Sequence, residues 1–248
     1  MSTRASMIAD PVAWVSWQRD TFRWRRHFFQ RVLFDRLVRP LLVDLTVEGM
    51  ENLPSTGPTV LMMNHVTAVD PVIVIGITRP RYVVPMSKVE NFRDPVAGLL
   101  ARSWGAYPVK RGEVDRAALR VTLELLKAGE LVLMAPEGTR SPSLKQAKDG
   151  LAYLLVKADP ATVIIPAAVW DLETWGRDLI TPWRRTPVQV RFGQPFRLKL
   201  DGQRRVPRES LRQITDEMMY QLAVTLPERY RGDYSDLDQM TTEMLEFV

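Results

Sequence analysis

The sequence predicts an α/β protein: a mixed central sheet of about seven strands flanked by helices, preceded by an N-terminal amphipathic helical motif. Two observations carry this expectation. From Leu41 onward, short β-branched runs alternate with stretches of helical spacing, a pattern of layered sheets and not of bundles. The 248 residues, 46% apolar and 25% charged, also suffice for one good-sized core, without the bias of a disordered or fibrous chain. The expected strands are Val43–Val47, Thr59–Met63, Tyr82–Pro85, Ala106–Lys110, Leu131–Ala135, Thr162–Ala168 and Pro187–Phe192. The expected helices are Pro71–Thr78, Pro95–Ser103, Asp115–Ala128, Gly150–Ala158, Pro207–Thr225 and Ser235–Phe247. The continuous apolar runs Val72–Ile77 and Val163–Ala168 suit elements buried on both faces. There is no internal repeat and no low-complexity linker after Pro40, so the chain divides into residues 1–40 and a single unit over 41–248.

Residues 12–39 read as helix in two pieces, with Pro40 ending the run. Trp14, Trp17, Phe22, Trp24, Phe28 and Phe29 begin a wide apolar stripe that Val32, Leu33, Phe34, Leu37 and Val38 continue, and arginines fill the other face. Between Val12 and Pro40 seven arginines stand against Asp20 and Asp35, so this segment alone carries the +5 of the whole chain. Tryptophan and phenylalanine opposite arginine is the composition of a helix lying in a membrane interface, with an anionic membrane surface as its partner. A core-packing helix with solvated arginines is the alternative. Nucleic acid is disfavoured as a partner, because lysine is absent here and no recognised nucleic-acid motif follows. No window reaches the roughly 18–20 uncharged apolar residues that a membrane-spanning helix needs. The first residues also lack a secretory apolar core.

Zero cysteines exclude a disulfide framework, a thiolate nucleophile and any cysteine-based metal site. With His27 and His65 the only histidines, neither a metal nor another cofactor is expected. His65 follows a probable buried strand and lies five residues before Asp70. An imidazole with a carboxylate in reach is the minimum apparatus for taking a proton off a hydroxyl near neutral pH. Asp70-Pro71 is equally a plain helix start, with the aspartate as cap. A serine hydrolase is rejected: Ala101-Arg102-Ser103-Trp104-Gly105 has helix before and strand after, the reverse of a nucleophile elbow. Two further strand ends carry glycine and basic residues. Gly138, Thr139 and Arg140 can hold a phosphate through backbone N–H, hydroxyl and guanidinium, and Lys110-Arg111-Gly112 repeats the theme. In one sheet these ends would bring His65, Arg111 and Arg140 around one crevice.

Asn64-His65 with Asp70, Gly105 to Arg111, Pro136 to Ser141 and Val163 to Ala167 resemble, in order, the four sequence blocks of the glycerolipid acyltransferase family, whose bacterial members include 1-acyl-glycerol-3-phosphate acyltransferases. The resemblance covers roughly Leu45 to Phe196 and departs in the second block, where Tyr107-Pro108 stands at positions more often aliphatic or aromatic. It implies an O-acyltransferase domain over 41–248 that forms phosphatidic acid from lysophosphatidic acid and an acyl thioester, either acyl-CoA or acyl-carrier protein. It implies His65 as general base, oriented by Asp70, and direct attack with no acyl-enzyme. By the same resemblance Arg111, Glu137, Gly138 and Arg140 bind the phosphoglycerol acceptor, with Thr139 a further donor and Lys88 in binding or oxyanion stabilisation. Lys145 and Lys148 would meet the phosphates of the thioester carrier, and Pro166 would shape the wall of an acyl slot. Other acceptors (glycerol 3-phosphate, another lysophospholipid, a glycolipid) and an inactive lipid-binding protein of the same fold are the alternatives. A lipid reaction gives the N-terminal helices a purpose, placing a monotopic enzyme on the cytoplasmic face of the cell membrane. The acidic Arg231–Val248 segment is expected to face away from anionic lipid and to pack Leu237, Met240, Met244 and Leu245 on the body.

Overall fold

A computed structural model describes residues 7, 9–79, 81–110, 115–181, 184–200 and 206–248. Nine strands form one sheet in the order β1-β7-β6-β2-β5-β3-β4, with β8 beside β6 and β9 beyond β8. They are β1 Val43–Glu48, β2 Thr59–Met63, β3 Val83–Lys88, β4 Tyr107–Val109, β5 Leu131–Met134, β6 Val163–Trp170, β7 Thr186–Phe192, β8 Phe196–Leu198 and β9 Leu245–Phe247. Strands β6, β2, β5, β3 and β4 run parallel, so their C-terminal ends share one edge. Strands β1 and β7 are parallel to each other and antiparallel to that block. Successive side chains of a strand point to opposite faces, and the core divides accordingly. Val60, Met62, Val132 and Ile164 belong to one buried cluster, and Leu61, Met63, Leu131, Leu133 and Ile165 to the other. Pro166, which has no N–H to give, sits where β6 passes from its β8 partner at Ile164 to its β7 partner at Ala167.

The helices are α1 Pro11–Phe28, α2 Asp70–Ile77, α3 Pro95–Trp104, α4 Arg116–Lys127, α5 Gly150–Lys157 and α6 Arg208–Thr225. The expected helix over Ser235–Phe247 is not formed; that segment makes short turns and then β9. The Asp236 carboxylate accepts the Asp238 N–H at 3.2 Å and closes a turn that competes with helix. Buried Glu217 then takes the Thr241 hydroxyl (2.8 Å) and the N–H groups of Glu243 (3.2 Å) and Met244 (2.9 Å), directing the chain onto the open edge of β8. These two strands raise the expected seven to nine. Leu245 is buried and Leu237 and Met244 pack against the core, as expected of that stripe, while Met240 stays exposed.

Helix α1 starts at Asp10, whose carboxylate accepts the Ala13 N–H at 2.9 Å. It does not break before Pro40: Phe29–Val38 continues it with wider π-helical turns, and one further turn spans Arg39–Leu41. The buried row along it is Trp14, Gln18, Phe22, Arg26, Gln30 and Phe34, one residue in four. At 3.6 residues per α-helical turn, every fourth residue overshoots by about 40° and the row winds away from the body. Looser π turns undershoot and bring it back. Half of this row is polar, contrary to the expectation that arginines occupy only the open face. The buried Arg26 guanidinium donates to the Trp104 carbonyl (2.9 Å) and to Gln18 Oε1 (2.6 Å), and burial lowers its pKa to about 10. Gln30 donates to the carbonyls of Ile75 (2.7 Å) and Thr78 (3.0 Å). Phe34 presses its ring on Gly76 and Phe22 on Gly105, where an added Cβ would lie within 2.6 Å of the Phe22 ring. Meanwhile Trp17, Trp24, Phe28, Val32, Leu37 and Leu41 face outward. No helix among the described residues is long and apolar enough to cross a membrane.

Candidate active site

The site stands on the shared C-terminal edge of the parallel strands. Strand β2, buried along its whole length between β5 and β6, delivers Asn64 and His65 there. The Asn64 amide is buried and pairs with Val169 of β6 in both directions, donating to its carbonyl (2.7 Å) and accepting its N–H (2.8 Å). The side chain thus imitates one more rung of the ladder as the main chain turns away. His65 Nδ1 then lies 3.1 Å from Asp70 Oδ2.

Asp70 is 0% exposed and does not cap α2; it is the helix's first residue and its carboxylate folds back on the preceding turn. Oδ2 accepts the N–H groups of Val66 (2.6 Å) and Thr67 (2.7 Å), and Oδ1 accepts the Thr67 hydroxyl at 2.5 Å. A carboxylate in this position accepts only, so Nδ1 of His65 is the donor, and in the neutral imidazole that leaves Nε2 as the acceptor. That is the arrangement of a positioned base. Thr67 was no candidate from sequence, although a hydroxyl three residues before an aspartate is a recognisable turn signal.

The turn after β5 lies beside this one, because β5 is the neighbour of β2. His65 carbonyl oxygen accepts the Ser141 N–H at 2.8 Å. Gly138 has φ +68 with open space around it, so backbone conformation and not crowding requires glycine there. Thr139 and Arg140 are exposed, whereas Glu137 is only 5% exposed. Its carboxylate accepts the N–H groups of Lys145 (2.9 Å) and His65, and burial raises its pKa to about 7 against those hydrogen bonds. Glu137 therefore ties the two loops together from beneath, while Thr139 and Arg140 remain open to a ligand.

Lys88 ends β3 on the same edge, half-buried and opposite Val109 of β4. Arg111 lies outside the described residues, and the edge can be followed on β4 only to Lys110. Lys145, expected to meet the carrier's phosphates, pairs with Asp233 at 3.6 Å, and Asp233 also accepts the Gln146 N–H at 2.9 Å. Lys148 is exposed. The whole 141–149 loop is braced from behind: Leu144 exchanges backbone hydrogen bonds with Tyr230 and Asp233, and Arg212 donates to the Ala147 carbonyl (2.7 Å) and pairs with Asp149 (2.9 Å). None of these braces was legible in the motif. Among the described residues no three His, Cys, Asp or Glu side chains converge as a metal site would require.

A family model described as Acyltransferase matches residues 44–170, about half of the chain and all of the site just described. The chain is 29% identical over 152 residues to the chloroplastic 1-acyl-sn-glycerol-3-phosphate acyltransferase LPAT1 of Arabidopsis thaliana, covering 59% of this chain and 42% of that protein. It is 27% identical over 162 residues to the 1-acyl-sn-glycerol-3-phosphate acyltransferase of Bacillus subtilis, covering 65% of this chain and 78% of that one. Its fold is similar to the crystal structure of the 1-acyl-sn-glycerophosphate (LPA) acyltransferase PlsC from Thermotoga maritima, with a TM-score of 0.56 and 23% identity over 91% of this chain and 83% of the other.

Proposed function

This chain belongs to the Acyltransferase family, and we propose that it transfers an acyl chain from an acyl thioester to the free glycerol hydroxyl of 1-acyl-glycerol 3-phosphate, giving phosphatidic acid for phospholipid biosynthesis. The observation that carries this reading is the His65–Asp70 pair, whose Nε2 has no hydrogen-bond partner among the described residues, on the same sheet edge as the exposed Thr139 and Arg140. Nε2 takes the hydroxyl proton as that oxygen attacks the thioester carbonyl. The tetrahedral intermediate collapses, the C–S bond breaks, and the imidazolium returns its proton to the departing thiolate. Asp70 holds the imidazolium; Arg111, Arg140, Thr139 and the Gly138 N–H receive the acceptor's phosphate, and Lys88 lies where an oxyanion or phosphate would be met. Glu137 keeps the loops in register. No nucleophilic side chain is needed. The donor is acyl-CoA or acyl-carrier protein.

The N-terminal helix is the membrane contact in this reading. Its outward Trp17, Trp24 and Phe28 enter the interface, and its exposed arginines attract anionic head groups at about 1 kcal/mol each. The protein then acts as a monotopic enzyme on the cytoplasmic face of the cell membrane. The decisive assay offers lysophosphatidate and glycerol 3-phosphate separately, each with acyl-CoA and with acyl-carrier protein. Phosphatidic acid should form from lysophosphatidate, and His65→Ala should reduce the rate by about 10²–10⁴-fold while lysophosphatidate still binds. Full activity in that variant would end the proposed mechanism.

A further inference from the structure

Away from the reaction edge, a cleft of about 640 Å³ opens between α1 and Tyr82. That is within the size range of small-molecule sites, roughly 300–1,000 Å³. Tyr82 immediately precedes β3, whereas Asn64-His65 follows β2, and the two strands run parallel through β5. The cleft and the His65–Asp70 pair are therefore at opposite edges of the sheet. Two rows of side chains, each advancing by four residues, line the helix wall. One row is apolar, Trp24, Phe28 and Val32; the other holds Arg23 and His27. Asp20 lies on the same wall, four residues before Trp24.

Apolar side chains of this size are normally covered. Trp24 is 66% exposed, Phe28 46% and Val32 42%, while the helix docks through a different row altogether. A continuous aromatic groove with a basic rail beside it matches an amphiphile that has a phosphate at one end and a hydrocarbon chain at the other. We propose that this cleft is a second lipid site, which seats one anionic phospholipid with its phosphate on Arg23 and His27 and an acyl chain along Trp24, Phe28 and Val32. The inference rests on the proposed membrane role of α1 only in taking its lipid from a bilayer, and a dispersed lipid tests it separately.

The test titrates the full-length protein with dioctanoyl phosphatidic acid below its aggregation concentration. Binding is read as the tryptophan fluorescence change that is lost in Trp24→Phe. A saturable change is expected in the wild type and in His65→Ala. It should be at least tenfold weaker for the Arg23→Ser/His27→Gln double variant and for dioctanoylglycerol, which lacks the phosphate. All of these side chains lie off the buried row, so the helix should stay docked, as thermal melts would verify. Equal binding of the uncharged lipid, or unchanged binding by the double variant, overturns the site. In parallel, flotation is measured on vesicles of phosphatidylcholine with phosphatidylglycerol. Flotation without saturable binding of the dispersed lipid means that the helix adheres to the surface as a whole, which overturns the cleft and leaves the membrane reading standing. Saturable binding without flotation does the reverse.

Discussion

The sheet edge that carries His65 and the N-terminal helix both bury polar side chains, and they do so to opposite effect. At the edge, Asn64, Asp70 and Glu137 are buried with their polar atoms engaged, and most of their partners are backbone groups. Along the helix, Gln18, Arg26 and Gln30 are buried among Trp14, Phe22 and Phe34, and Trp14 Nε1 and Gln18 Nε2 are left without partners. Each such orphan costs about 1–3 kcal/mol, while Val12, Trp17, Trp24, Phe28, Val32, Leu37 and Leu41 of the same segment face outward. The first region is over-determined, as a site must be when a displacement of an ångström is costly. The second is latched by a few strong contacts and otherwise turned away from its own core. A segment arranged purely for stability would have made the opposite choice on both of its faces.

The largest effect should come from the over-determined edge. Asp70→Asn keeps the shape but supplies an N–H where His65, Val66 and Thr67 all donate. The expected result is a fall of about 10²–10⁴-fold in turnover from the wrong imidazole tautomer, accompanied by a lower Tm. Unchanged turnover would mean that the edge is rigid for some reason other than the base.

Next comes the latch. Gly76→Ala drives a methyl into the Phe34 ring, whereas Gly150→Ala meets open space. Gly76→Ala should cost about 1–3 kcal/mol by overpacking, even though alanine is the better helix former by about 1 kcal/mol. Denaturant melts of the two variants side by side check this. If Gly76→Ala melts like wild type, the docking of the helix contributes little to the fold.

Smaller still is the titration of Glu137. Its pKa is raised by burial to about 7, so the unfolded chain ionises it first as pH rises. Its contribution is thus present below the ordinary carboxylate range and is lost as pH rises through about 7. Relative to wild type, Glu137→Gln should gain in Tm between pH 4.5 and 7 and then level off, as melts across that range would show. The smallest stability effect is expected at the outward face. Trp17→Ser/Trp24→Ser should change unfolding free energy by only about 0.5 kcal/mol per site, yet weaken flotation on anionic vesicles. These surface variants separate the two roles better than removal of residues 1–39, which would strip Trp14, Phe22 and Phe34 from the core.

The sheet was legible because its signal is local. Thr59–Met63 is apolar from Val60 onward, bounded by turn residues, and forms β2 with those same limits. His65 and Asp70 were also legible as a pair, being five residues apart on one turn. What escaped was decided by partners distant in the chain. Ser235–Phe247 has helical spacing in Leu237, Met240 and Met244, but Glu217 and the free edge of β8 draw it into turns and a strand. Arg26 reads as one solvated arginine among seven until the Trp104 carbonyl, 78 positions away, is placed beneath it. Glu137 reads as a ligand contact because motif residues usually are, and only its burial under the Lys145 and His65 N–H groups shows what its carboxylate holds.

The brace behind the 141–149 loop has a consequence in time. A chain leaves the ribosome from its N-terminus, and folding begins on the part already made. His65, Asp70 and the turn at Glu137–Ser141 are synthesised well before Tyr230 and Asp233, which hold Leu144 and Lys145 in place. A nascent chain can therefore possess all of β1 to β8 and still have the 141–149 loop unsupported. The loop beside His65 is fastened late in translation, when the long helix along the outside is already complete.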